Sequence, residues 1–379
     1  MFKTRHLLAF GLAASFAGLA GLAGLAGPAW AEADPAAAQS CADRPFDLEP
    51  ISEGFEALGW SPDGLARLRQ TADDLGSLSL IIRTGDKTVF THGRIDARQT
   101  LHSVRKSLVS VLMGLALEQD AVRLSDTLAD LGIDDLTPLS DVERGATVMQ
   151  LMASRSGITL PAAAQGTPDR RPARGTLKPG ERWVYNNFDF NVVDAIYRQT
   201  MGEPIFEAFA TRIAAPLCME DYRPQDGRTQ YLTSWGRKVS RFPVNHFRMS
   251  ARDLARFATL VLDDGRWGAR QVVPETWIRE STRPLSQTGE PLLDAYGLMW
   301  WVVSPNAAED AREQLDLTTV FPPGSFAAAG FGGQFVMVAP AWDTVIVHQV
   351  RTGGLFQRTG FGAKKRIRLI STILRARVP

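Results

Sequence analysis

The chain has 379 residues, 45% of them hydrophobic and 22% charged, a balance that excludes a mostly disordered, collagen-like or coiled-coil chain and implies a large apolar core. Lysine and arginine total 42 against 41 acidic residues, so the formal net charge of +1 provides no footprint for nucleic acid. No strongly basic or acidic partner is implied.

Residues 1–31 read as a signal peptide. Lys3 and Arg5 precede an apolar stretch from Leu7 to Gly27, and Ala29-Trp30-Ala31 is an A-x-A cleavage pattern. An uncleaved anchor is the alternative, because about 20 apolar residues can span a bilayer, but the Gly/Ala content and small-residue end favour cleavage after Ala31. Cleavage removes Lys3 and Arg5 and no acid, so the charge moves from +1 to −1 in a periplasmic or secreted protein. Cys41 and Cys218 would then meet an oxidising compartment, which permits a disulfide between them without requiring one. No other apolar run is long enough for a membrane span, so no membrane contact is expected after cleavage.

Residues 32–45 have no apolar period and read as a linker, with folding starting near Phe46. Leu78–Arg83 and Thr88–Thr91, around Thr84-Gly85-Asp86-Lys87, predict a β-hairpin. From Ser103 to about Leu117 the residues Val104, Leu108, Val111, Leu112, Leu115 and Ala116 predict a helix with one buried face. Residues 125–284 read mainly as helices and loops, with helices over Asn191–Thr200, Ile205–Ile213 and Arg252–Leu262, the last opened by a capping-box pattern at Ser250–Asp253. Pro161–Pro179 is a Pro/Ala/Arg-rich loop within this section. Strands are expected over Leu298–Val303, Phe335–Ala339 and Thr344–Val347, extending the sheet begun by the hairpin. Lys364–Leu374 is a basic amphipathic helix, apolar at Ile367, Ile370, Ile373 and Leu374, expected to pack on that sheet. The layout is an α/β domain from residues 46–125 and 285–379, a helical domain from 126–284 inserted in it, and a cleft where they meet.

The chain has no H-E-x-x-H, C-x-x-C, G-x-S-x-G or phosphate-cradling loop, so metal and nucleotide chemistry find no motif. His102 abuts Ser103, but neighbours one apart on a helix do not face each other, which makes it a poor general base for that serine. Ser103-Val104-Arg105-Lys106 is an S-x-x-K at a helix start, where spacing three puts the lysine amine within reach of the hydroxyl. A buried lysine can lose its charge and take the serine proton, and the helix N-terminus favours a developing oxyanion. Lysine occurs only at 3, 87, 106, 178, 238, 364 and 365, so its use at 106 in an arginine-rich chain singles that position out. In Pro179–Asn187, Tyr185 can shuttle a proton and Asn187 can donate to a substrate carbonyl, although a turn leading to a buried tyrosine would look the same. Ala329-Gly330-Phe331-Gly332-Gly333-Gln334 leads into a strand, where small residues let a ligand approach backbone N–H groups; a simple glycine-rich turn is the alternative.

Together and in this order the three motifs resemble the serine β-lactamase and penicillin-binding protein superfamily, above all its class C β-lactamase-like branch, which includes esterases, D-aminopeptidases and 6-aminohexanoate-dimer hydrolases. Ser103 and Lys106 match its S-x-x-K, Tyr185 and Asn187 its Y-x-N, and Phe331-Gly332-Gly333 stands where it has K-T-G or H-x-G. Leu151–Gly157 and Met249–Leu254 also look like it, and the likeness runs over about residues 75–350. The resemblance implies an α+β sandwich: a mostly antiparallel sheet flanked by N- and C-terminal helices, with a mainly helical insertion. It also implies acyl transfer from small-molecule substrates without metal or cofactor. Ser103 would attack, Lys106 and Tyr185 would carry the proton, Asn187, Phe331, Gly333 and Gln334 would line the substrate site, and the N–H groups of Ser103 and Gln334 would form the oxyanion hole.

Phe331 departs from that pattern, because a phenyl ring cannot pair with the carboxylate that β-lactams and peptidoglycan stems present. Esters or linear amides are therefore favoured over β-lactams and D,D-peptides. Trp183, Tyr296, Trp300, Trp301 and Phe331 are candidates for an apolar acyl pocket or for core packing. A non-catalytic binding or sensor module is the reading from another class, against which intact Ser103, Lys106 and Tyr185 argue.

Overall fold

Alternation of apolar residues with period two sends successive side chains to opposite faces of a strand, and here both faces are covered. The computed structural model describes residues 46–164, 171–233, 236–305, 319–352 and 361–378, so the expected signal peptide and linker lie outside the described residues, as do 165–170 of the Pro161–Pro179 loop. In strand β1 (Ser79–Thr84) Leu80 and Ile82 enter one hydrophobic cluster and Ile81 the other. β1 and β2 (Lys87–Gly93) form the expected hairpin, turning at Gly85 with φ 57° and carrying a bulge between Ile82 and Arg83.

The C-terminal part supplies β3 (Ser286–Gln287), β4 (Ala295–Tyr296), β5 (Trp301–Val302), β6 (Phe326–Ala329), β7 (Phe335–Ala339) and β8 (Thr344–Gln349). The antiparallel sheet runs β2-β1-β8-β7-β6-β5-β4-β3, with Ile82 opposite Ile346 where the two chain ends meet. The expected strand over Leu298–Val303 is shorter. Met299 has φ 69° and Gly297 N–H donates to the Trp300 carbonyl, so the chain turns there and Tyr296 folds back opposite Trp301. β6 is an unexpected strand, because its three alanines carry little strand preference and only its place between β5 and β7 specifies it.

One face is covered by α1 (Pro62–Leu75) and, at the chain's end, by a C-terminal helix packed beside it. α1 is the N-terminal flanking helix that the resemblance implies without giving its bounds: Ser61 Oγ accepts from Gly64 N–H, Pro62 opens the helix and Gly76 closes it. On the other face α2 (Arg105–Glu118) crosses the interior, with every residue from Arg105 to Ala116 buried. The single buried face expected there is corrected: α2 is surrounded, and its serines donate inward, Ser107 Oγ to Met299 O and Ser110 Oγ to Leu298 O, each at 2.8 Å.

Further along lie α3 (Val148–Met152), α4 (Asn187–Met201) and α5 (Ala251–Leu262). α4 starts four residues before its expected start because Asn186 caps it, and the helix from Ile205 ends at Phe209 before a wider turn over Ala210–Ala214. At α5 Ser250 Oγ accepts from Asp253 N–H, but the Asp253 carboxylate turns to the N–H groups of Glu220 and Asp221, so the capping box is half made. The middle of the chain also holds short antiparallel pairings the helical reading omitted. Among them, Gln99–Thr100 with Arg248–Met249 anchors the residues just before Ser103.

The C-terminal helix, α6 (Ala363–Ala376), buries Leu369, Ile373, Leu374 and Ala376. Ile367, expected on that face, is exposed. Cys218 is disulfide-bonded, and Cys41, the other cysteine of the sequence, lies outside the described residues. No helix among the described residues is long and apolar enough to cross a membrane.

Candidate active site

Ser103 and Lys106 do not share one α-helix as expected. Ser103 lies in a 3-10 turn, His102–Val104, that runs into α2, and in such a turn residues three apart eclipse each other. Lys106 Nζ therefore stands 2.8 Å from Ser103 Oγ. It also donates to Tyr185 Oη at 2.7 Å and to Asn187 Oδ1 at 2.9 Å. Ser103 is partly exposed while Lys106 is 2% exposed, so the hydroxyl faces the surface and the amine lies behind it.

The amine has three hydrogen bonds to uncharged oxygens and no carboxylate partner among the described residues. Burial, then repulsion from Arg105, pushes its pKa well below the usual lysine value. The rings of Tyr185 and Phe190, each 4.5 Å from Nζ, are the attractive counterweight to charge loss. Burial pushes the Tyr185 hydroxyl up to about 12, outweighing the hydrogen bond with Ser103 and the nearby Arg105 guanidinium. The nearby cations therefore do not make this hydroxyl a phenolate.

The segment carrying Tyr185 is clamped by the one after α3. Ser154 Oγ donates to Val184 O at 2.8 Å, Asn186 Nδ2 to Ile158 O at 2.6 Å, and Ser156 Oγ to Asp189 Oδ1 at 2.6 Å. Asn187, expected to donate to a substrate, holds the amine through Oδ1 and donates from Nδ2 to Ala164 O at 2.7 Å.

The glycine turn reaches the same place from the sheet. Gly330 lies against the Leu101 carbonyl, 2.5 Å from where a Cβ would be, which brings the turn beside the residues preceding Ser103. Gly333 has φ 98°, and its absent Cβ would meet Phe361 at 2.4 Å. His348 Nδ1–H donates to the Gly333 carbonyl at 2.6 Å while Nε2 accepts from Ser77 Oγ at 2.8 Å; burial takes this imidazole down to about 4, so it is neutral and fixes the turn. Gln334 is buried, with Nε2 donating to Val350 O and Oε1 left without a partner among the described residues. Phe331 is 62% exposed, its ring edge-on to His102 at 5.6 Å. His102 takes φ 51°, and its Nε2 is buried without a partner among the described residues.

The aromatic residues divide. Trp183, Tyr296 and Trp301 gather round Tyr185 with centroids 5.5–6.2 Å from it. Trp300 instead stacks on Phe257 at 6.2 Å in the core and belongs to no pocket. Sequence reasoning gave no role to Arg105 or His348. Arg105 stands beside Lys106, Ser107 and Ser110 and carries no separate signal, and His348 is marked only as the one ionisable residue of its strand.

The Beta-lactamase family model matches residues 62–360. A penicillin-binding protein homologue from Caulobacter crescentus has a TM-score of 0.59 at 15% identity, over 84% of this chain and 99% of its own. A Bacillus anthracis protein assigned as a 6-aminohexanoate-dimer hydrolase has 0.57 at 18%, over 81% and 80%. EstCE1, a hydrolase with promiscuous acyltransferase activity, has 0.55 at 13%, over 83% and 99%. At such identities the likeness is one of fold. Among curated proteins none matches the sequence. The family model covers most of the chain and the antiparallel sandwich agrees with it: the chain belongs to the Beta-lactamase family.

Proposed function

We propose that this protein is an exported serine hydrolase that acts through an acyl-enzyme on carboxylic esters or linear amides. The single observation that carries the reading is the Lys106 amine, buried, bonded to Ser103 Oγ and lacking a carboxylate partner among the described residues. Neutral Lys106 accepts the Ser103 proton as Oγ attacks the substrate carbonyl. The oxyanion is held by the N–H groups of Ser103 and Gln334, each worth roughly 10²- to 10³-fold in rate. The proton then passes to the leaving group, directly or through the Tyr185 hydroxyl, and the acyl-serine forms as that group departs. Water then attacks the acyl carbonyl as Lys106 takes its proton along the same path, the Ser103 Oγ–acyl bond breaks, and that proton passes to Oγ, which releases the acid and restores the neutral amine. With its hydroxyl pushed up to about 12, Tyr185 serves as a protonated relay and Lys106 as the base.

Phe331 supports the choice of substrate, since an exposed phenyl at the rim offers apolar contact and no charge for a carboxylate. The signal-peptide pattern supports a periplasmic or secreted location, with cleavage after Ala31.

Hydrolysis of short-chain p-nitrophenyl esters by the mature protein, beside Ser103→Ala, tests this reading. Activity lost in the variant is expected. Equal activity in both would overturn it, while fast turnover of a chromogenic cephalosporin with slow ester turnover would favour a β-lactamase or D,D-peptidase. A stable acyl adduct without release would favour a binding or sensor module.

A further inference from the structure

Arg105 and Lys106 are adjacent cations, each 2% exposed, at the start of α2. Two neighbouring buried charges are costly unless each is partnered or one is given up. Both side chains are received by one face of α4, where Asn187, Asn191 and Asp194 recur at spacings of four and three. Asn187 accepts from Lys106, and Asn191 Oδ1 accepts from Arg105 Nη2 at 2.6 Å. Asp194, 1% exposed, accepts from Asn245 Nδ2 at 2.7 Å through Oδ2, while its Oδ1 and Arg105 Nη1 have no hydrogen-bond partner among the described residues. Burial pushes Arg105 down and Asp194 up, while their mutual attraction, with that of Arg198 for Asp194, opposes both shifts.

The other titratable groups around the amine come from every side: Tyr185 before α4, Asp189 on α4, Tyr296 on β4, His102 before α2 and His246 on the strand Val244–His246. Burial drives each towards its uncharged form. The charge whose repulsion the Lys106 amine meets is that of Arg105, and Asp194 is the carboxylate that attracts Arg105.

We propose that Arg105 and Asp194 are positioning residues that set the charge on Lys106, Arg105 holding the amine neutral and Asp194 moderating that repulsion from one turn further along α4. The catalytic part of this inference rests on Lys106 being the base, but the electrostatic part does not.

The test is a titration of Lys106 by NMR in protein labelled with 13C-lysine, its signal identified by loss in Lys106→Ala, together with the pH profile of kcat/KM for a p-nitrophenyl ester. Arg105→Gln, which keeps a group for Asn191, should move the Lys106 titration up. Asp194→Asn, which keeps an acceptor for Asn245, should move it down by less, and the double variant should fall between. A titration that stays put or moves down in Arg105→Gln overturns the proposal. Should that variant fail to fold, Asp194→Asn decides alone, and an unmoved or raised titration there overturns it. If the titrations move in opposite directions while the acid limb of kcat/KM stays fixed, the charge pair stands and Lys106 as the base falls.

Discussion

On the amine side of the Ser103 hydroxyl, Lys106 meets three acceptors within 2.9 Å and is 2% exposed, whereas on the glycine-turn side Phe331 is 62% exposed and touches another ring, that of His102. The first wall is a buried polar network in which any lost partner leaves an unsatisfied group, so its members act as a unit. The second is held from behind by His348 and the Gln334 side chain, and its front is open. Under the proposed mechanism the amine wall carries the proton chemistry common to all substrates, and the glycine wall selects among them.

The comparison breaks first at Lys106. Lys106→Ala should lower kcat/KM for a p-nitrophenyl ester by about 10²- to 10⁴-fold, with the folded state checked by circular dichroism. Activity near wild type would move the base elsewhere. Tyr185→Phe should cost less, about 10²-fold, because the ring and its packing stay while the relay hydroxyl goes. A wild-type rate in steady-state assays would remove Tyr185 from the proton path.

On the other wall the effects are smaller and selective. Phe331→Lys should improve kcat/KM for a carboxylate-bearing ester by about tenfold relative to its neutral analogue, the size of one charge-assisted hydrogen bond. No change in that ratio would show that the rim does not meet the substrate. His348 gives the smallest effect, seen in stability. Its folded pKa of about 4 lies below the ordinary histidine value of 6.5, so its contribution is full above about pH 6.5 and is lost as pH falls towards 4. Urea midpoints at pH 7 and 5 should differ more in the wild type than in His348→Gln.

Much of this arrangement is written locally. S-x-x-K and Y-x-N carry residue types that few other roles require, and the hairpin and the β7–β8 pair are apolar, β-branched runs bounded by turn residues. What escaped is decided by tertiary contact. Phe326–Ala329 is a strand because its neighbours are strands, and Leu298–Val303 is broken by a left-handed Met299 that its own composition does not announce. The burial of α2 on all sides hid behind its polar residues: Arg105, Lys106, Ser107 and Ser110 read as an outer face until each meets its partner. His348 likewise gains meaning only from Gly333 across the β7–β8 pair.

The most direct measurement is the site and speed of acylation. Protein mixed with a p-nitrophenyl ester, quenched within the first turnover and digested, should carry the acyl mass on the peptide containing Ser103, and Lys106→Ala should acquire it far more slowly. Acylation of a different residue, or of Ser103 at an unchanged rate in that variant, would contradict a serine activated by a buried neutral lysine.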